Sequence, residues 1–340
     1  MSAPPPTPLS ASTRRHKAPP ALPLSAFTPP STGTADRFPF PPSPTSVTAQ
    51  SIVDANVVVS SSDLSQWKSE ATSELKEKIS GVVLILKVDN VQQLVELLES
   101  KISQVPILSV SVPFRIDNGS PVGIPSSSKV PISLSITYSR QSPEAVEALA
   151  WALSNGHVVD VDVQFTADDK SYDSLEESLT TASKDANPES TIVISNLLPP
   201  VDDLSLPLVK LLTHPTYRAY QAHTASLSLI PNTYIKLLPP NWREPTPPTP
   251  APVGGIRPED SSEKKEWKRR IKMYVGPALE AFGDQRIIFG TSPSPESSAK
   301  SAVGDWFELV KESLAELGIE QEGVDAIFGG NAQKVYGKKQ

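Results

Sequence analysis

Residues 286–292, RIIFGTS, decide the fold. Ile287, Ile288 and Phe289 form a short apolar run that ends in Gly290 and two hydroxyl residues, Thr291 and Ser292. A strand buried on both faces reads this way, as strands of parallel sheets do, and the glycine marks its arrival at a surface turn. Seven similar runs lie upstream: 51–60, 81–88, 106–112, 131–137, 157–165, 190–200 and 232–240. Most of the gaps between them carry a helical period, at 63–79, 90–102, 142–156, 172–183, 204–229 (broken near Pro215) and 262–283 (with Pro277 as a kink). Two more helices follow the eighth strand, at 305–318 and 322–337. Eight strands alternating with helices predict an α/β fold, a (β/α)8 TIM barrel over 49–340 whose last strand delivers Ser292 to the C-terminal mouth. An open doubly wound sheet has the same rhythm, but no glycine-rich phosphate loop follows the first strand.

Residues 1–48 hold 13 of the 36 prolines, interspersed with Ser, Thr and Ala. So little apolar surface cannot offset the entropy of ordering, and a disordered, proline-rich N-terminal tail is expected. Prolines 4, 5, 6 and 8 forbid the amphipathic helix a transit peptide would need. A net charge of −7 argues against nucleic-acid and anionic-membrane partners. The absence of cysteine removes disulfides, thiolate metal sites and cysteine nucleophiles. No run nears the ~18 apolar residues of a membrane span. A cytoplasmic protein is the expectation. The basic segment 263–274, EKKEWKRRIKMY, reads as a solvated helix face. The segment 239–262 follows the seventh strand, so it reads either as a lid carrying Trp242 and Arg243 over the mouth or as a disordered excursion.

Several stretches resemble a known family. IVDANVVV (52–59) resembles an opening I-D-A-H-x-H, and IVISNLL (192–198) an apolar strand that ends in histidine. PNTYIKL (231–237) resembles P-N-V-Y-x-x; FGDQRIIFGTSPSP (282–295) resembles F-G-x-x-R-I-L-F-G-S-D-x-P. IFGGNAQKVYG (327–337) resembles the closing I-x-x-G-N-A-x-R-x-x-G, about 40 residues after the eighth strand. Together these resemble the amidohydrolase-related proteins, metal-dependent TIM-barrel hydrolases and decarboxylases of the amidohydrolase superfamily.

The resemblance implies a hydrolase of C–N or C–O bonds, acting on an amide or lactone, or a decarboxylase, with a divalent metal such as Zn²⁺ held by histidines and an aspartate. Here Asn56 and Val58 stand at the two histidine positions of the first strand, Asn196 at that of the sixth, and Ser292 at the aspartate position. A hydrocarbon cannot ligate, and a neutral amide or hydroxyl is a poor Zn²⁺ donor. A degenerate metal site, with no metal and no cofactor, is therefore expected, and no catalytic residue is assigned. The alternative is a non-catalytic pseudoenzyme barrel that binds a small molecule or acts as a scaffold. The mouth residues offered for binding are Asn56, Lys87, Asp162, Asn196, Lys236 and Ser292. Lys87 and Lys236 facing Asp162 would suit a small acid or proton transfer; the plainer reading pairs or solvates the lysines. The resemblance also leaves a homodimer through outer helices open.

Overall fold

The computed structural model describes residues 47–59, 64–86, 105–117, 120–124, 128–164, 169–250 and 259–337. The chain divides into Met1–Phe40 and Pro41–Gln340; the first unit lies outside the described residues, all of which belong to the second. The tail expected over 1–48 lies outside them too, except for its last two residues. These are tied down: Val47 is buried, and the Gln321 side chain donates to the Thr48 carbonyl at 2.8 Å. The helix expected at 90–102 is also outside the described residues.

Eight strands form one parallel sheet: β1 (Ile52–Val59), β2 (Ile79–Leu86), β3 (Ile107–Pro113), β4 (Ile132–Tyr138), β5 (Val158–Val163), β6 (Thr191–Leu198), β7 (Thr233–Leu237) and β8 (Ile287–Phe289). Their spatial order is their sequence order. A doubly wound sheet reverses its order at a switch point; this one never reverses, so it curls into a barrel. After β3 a small antiparallel ribbon, Arg115–Asp117 with Ser120–Val122, stands outside the sheet.

The strands alternate faces, and the two faces differ in chemistry. Outward residues such as Val110, Val112, Leu134, Val159, Val161, Ile194, Ile235 and Phe289 meet the surrounding helices in the main apolar core. The inward faces are mainly apolar toward the strand N-termini, where Val53, Ala55, Val83, Val193, Tyr234 and Ile288 pack on Ala332, Val335 and Tyr336. Those last three lie on the terminal helix Asn331–Tyr336, which plugs the barrel from below; the Asn331 amide fixes the plug by donating to the carbonyls of Asp284 and Ile287 at 2.7 Å each. Higher up, the inward positions are Ser111, Ser133, Asp160, Asp162, Ser195 and Lys236, all buried.

The ring closes where β8 meets β1. Ser292 N donates to Asn56 O at 2.9 Å, and the Asp54 carboxylate bridges the seam. Its Oδ1 accepts from Thr291 N at 2.9 Å and from Asn56 N at 3.2 Å; its Oδ2 accepts from the Trp67 indole at 2.7 Å and from the Thr291 hydroxyl. Asp54 is fully buried, and burial pushes its carboxyl up against the pull of those donors. Gly290 makes the approach feasible: a Cβ there would lie 2.5 Å from Asn56 Cβ and 2.8 Å from Leu238 Cδ2. A bulge in β1 completes the seam. Asp54 pairs with Val82 but Val57 with Leu84, so one extra residue sits between them and Asn56 turns toward the mouth.

Three expectations need correction. The segment 63–79 is two short helices, Ser65–Glu70 and Ser73–Lys78, because Thr72 caps the second through its hydroxyl to Leu75 N at 3.3 Å. The 263–274 face is not solvated, since it packs on neighbouring acids. Lys264 and Lys268 are buried against Asp260 and Glu312, Lys268 also against Glu316, and fully buried Arg270 meets Asp202 at 2.8 Å. Trp242 does not cover the mouth. It is 1% exposed, donates to Pro200 O at 3.0 Å and packs on Trp267 with ring centroids 4.6 Å apart. The helix Ser262–Phe282 runs continuously through Pro277. Among the described residues, no helix is long and apolar enough to cross a membrane.

Candidate functional site

Parallel strands carry their C-terminal ends to one rim, so inward residues late in each strand meet at the mouth. They line a cavity of about 270 Å³ whose walls include Asn56, Ile85, Leu86, Pro113, Ser135, Ile136, Thr137, Asp160, Asp162, Ser195 and Lys236, with Pro295 and Glu296 from the loop after β8. Its floor is a charged cluster. Lys236 Nζ lies 2.6 Å from Asp160 Oδ1 and 3.3 Å from Asn56 Oδ1. The same Asp160 oxygen accepts from the Tyr336 hydroxyl at 2.6 Å, while Asp160 Oδ2 accepts from Ser111 at 2.9 Å and Ser133 at 3.4 Å. Lys236 also lies over the Tyr336 ring, 5.4 Å from its centroid. Burial and the adjacent Asp160 charge raise the Tyr336 phenol well above its ordinary range, so it stays a donor.

Asp162 sits one layer higher. Its Oδ2 accepts from Gln164 Nε2 at 3.0 Å, and that amide also meets the Ser294 hydroxyl at 2.9 Å. Its Oδ1 is buried without a hydrogen-bond partner. Burial raises the Asp162 carboxyl; Gln164, Ser294 and the Lys236 charge oppose this, and Glu296 adds to it.

Of the six mouth residues expected from sequence, Asn56, Asp162 and Lys236 line this cavity. Lys87 lies outside the described residues. Asn196 is turned away: with φ of 60° its amide donates to Val163 O at 2.7 Å, and Ser195 lines the cavity in its place. Ser292 belongs to the seam, its hydroxyl accepting from Val58 N at 3.2 Å, beside a separate polar pocket of about 360 Å³. Lys236 lies close enough to Asp162 for its charge to act on that carboxyl, but its ion pair is with Asp160, so it is not free to seat an anion. Ser111, Ser133 and Ser135 were missed, although Ser-x-Ser alternation in SVS and SLS signals one polar face on an otherwise apolar strand. Tyr336 had no such signal, because it reaches the site from the far end of the chain.

The positions that the resemblance assigns to a metal do not fit one. The Asn56 amide donates to the carbonyls of Ser292 at 2.9 Å and Pro293 at 3.3 Å, and its oxygen takes the Lys236 ammonium. Val58 has no donor atom; Asn196 and Ser292 are committed to backbone groups. A metal beside Asn56 would meet the fully buried Lys236 cation already in place. The described histidines are elsewhere: His157 stacks on Trp151, His223 on Tyr172, and His214 bonds Thr216. Among the described residues, no three acidic or histidine side chains converge to hold an ion.

No family model matches the chain, and neither does any curated protein. Solved structures do. An amidohydrolase from Burkholderia multivorans with bound zinc aligns at a TM-score of 0.57 and 16% identity, over 84% of this chain and 99% of that one. Amidohydrolase 2 from Bifidobacterium longum subsp. infantis aligns at a TM-score of 0.51 and 16% identity, over 85% of this chain and 99% of that one. The chain therefore has an amidohydrolase-like (β/α)8 barrel fold.

Proposed function

We propose that this barrel binds a small polar molecule at its mouth without metal-assisted hydrolysis. One observation carries the reading: the buried Lys236 ammonium stands between Asn56 and Asp160, where it neutralises the carboxylate and occupies the space a metal would need. A buried carboxylate needs a countercharge, and here the chain supplies its own. The cavity above is walled partly by apolar groups with a few convergent polar ones, the usual make-up of a ligand site.

The test is elemental mass spectrometry after Zn²⁺ and Mn²⁺ are offered and the protein is passed through gel filtration. Well under one metal per chain is expected. A stoichiometric metal that Asn56→Ala releases would overturn the reading.

A second reading, a metal-free hydrolase of amides or lactones or a decarboxylase, draws on Asp162. A carboxyl raised by burial and placed in a cavity can deliver a proton. Turnover of such substrates that persists in a chelator and disappears in Asp162→Ala would favour it over the first.

A further inference from the structure

The ligand's chemistry can be read from one row of the mouth. Thr137 pairs with Asp162 across β4 and β5, and Asp162 with Ser195 across β5 and β6. The pleat puts all three side chains on the inner face, so a hydroxyl, a carboxylate and a hydroxyl stand side by side on the cavity wall. Asp162 is 6% exposed, and its Oδ1 has no donor. Leaving a buried carboxylate oxygen without a donor is costly. Lys236, the ammonium among the described lining residues, is bound to Asp160 and leaves Asp162 Oδ1 without a cation.

We propose that the mouth is a site for a small primary ammonium compound, seated on Asp162 Oδ1 with the Thr137 and Ser195 hydroxyls beside it. An ammonium carries three donors and no acceptor, which matches a row of three oxygen-bearing side chains. The aliphatic part packs on Ile85 and Pro113, the inward apolar residues of this wall. A cavity of about 270 Å³ lies just under the ~300–1,000 Å³ of drug-sized sites, so the ligand is short. The inference rests on the ligand-binding reading and reverses the small acid that the two lysines suggest from sequence.

The experiment is calorimetric titration of the full chain at neutral pH with n-butylammonium chloride, sodium n-butyrate and n-butanol in parallel. Butylammonium binds in the millimolar range or tighter, and the other two bind at least about tenfold more weakly, the difference expected of a charge-assisted hydrogen bond. Asp162→Asn loses that preference, and Thr137→Val weakens butylammonium severalfold should the first variant fail to fold. Butyrate or butanol binding as well as the amine overturns the inference, and so does an unchanged affinity in either variant. Butyrate binding alone overturns it while leaving a ligand-binding barrel; a stoichiometric metal displaced from Asn56 overturns the ligand-binding reading with the amine titration still readable.

Discussion

Lys236 Nζ and Asp160 Oδ1 lie 2.6 Å apart on strands β7 and β5, with side-chain exposures of 0% and 5%. Neither charge has water to turn to, so each depends on the other. Lys236→Met leaves Asp160 buried without its cation and is expected to destabilise by about 3–5 kcal/mol in urea unfolding. Combining it with Asp160→Asn recovers part of that loss. Strictly additive effects of the two substitutions would show that the pair is not coupled.

Tyr336→Phe removes one donor from Asp160 Oδ1 while keeping the ring that fills the barrel floor. A hydrogen bond to a charged group contributes about 1.5–3 kcal/mol, and a loss of that order is expected in the unfolding midpoint. An unchanged midpoint would mean that the phenol has another partner in solution.

Gly290→Ala places a methyl 2.5 Å from Asn56 Cβ, beside backbone that closes the ring. Overpacking of this kind costs about 1–3 kcal/mol. Since Asn56 also receives Lys236, the variant should bind butylammonium more weakly as well as melt earlier. Loss of stability with unaltered binding would confine the effect to the seam.

The Asp162 carboxyl titrates above the ordinary carboxylate range because it is buried. In the window between those two values the native state holds a proton that the unfolded state has released, so this group makes stability fall as pH rises. Asp54 is raised by the same cause and contributes the same slope. Subtracting the Asp162→Asn curve from wild type isolates the first. Butylammonium affinity runs the opposite way: it needs the carboxylate, so it falls as pH drops through the raised value. The groups facing Asp162 are Lys236, Glu296, Gln164 and Ser294, and Asp160 lies below. An affinity flat with pH in wild type would mean that Asp162 does not seat the ammonium.

The barrel was legible because its signal is repetitive. Each strand is a β-branched run buried on its outer face, and a sequential order of eight needs no long-range information beyond the count. The mouth was legible only where the chain placed a polar residue at a strand end, as with Asp162 and Lys236. Asn196 was misplaced because its left-handed backbone turns the amide to Val163 O, and φ is not written in an apolar strand pattern. Lys264, Lys268 and Arg270 read as a solvated stripe because, of their partners Asp202, Asp260, Glu312 and Glu316, all but the nearby Asp260 lie in two other segments, Asp202 in one and Glu312 and Glu316 in the other. The pairing of Lys236 with Asp160 was invisible for the same reason.

Thr291 N reaches back across 237 residues to Asp54, and that span governs how the molecule can be made. A chain emerging from the ribosome N-terminus first can lay β1 to β7 side by side, each on its predecessor. Until β8 is released, however, the sheet has two raw edges, and one of them is the apolar IVDANVVV of β1. Such an edge is a template for pairing with another chain. The last strand to be synthesised is thus also the cover for the first, and a truncation before Ile287 would leave an open, self-associating sheet.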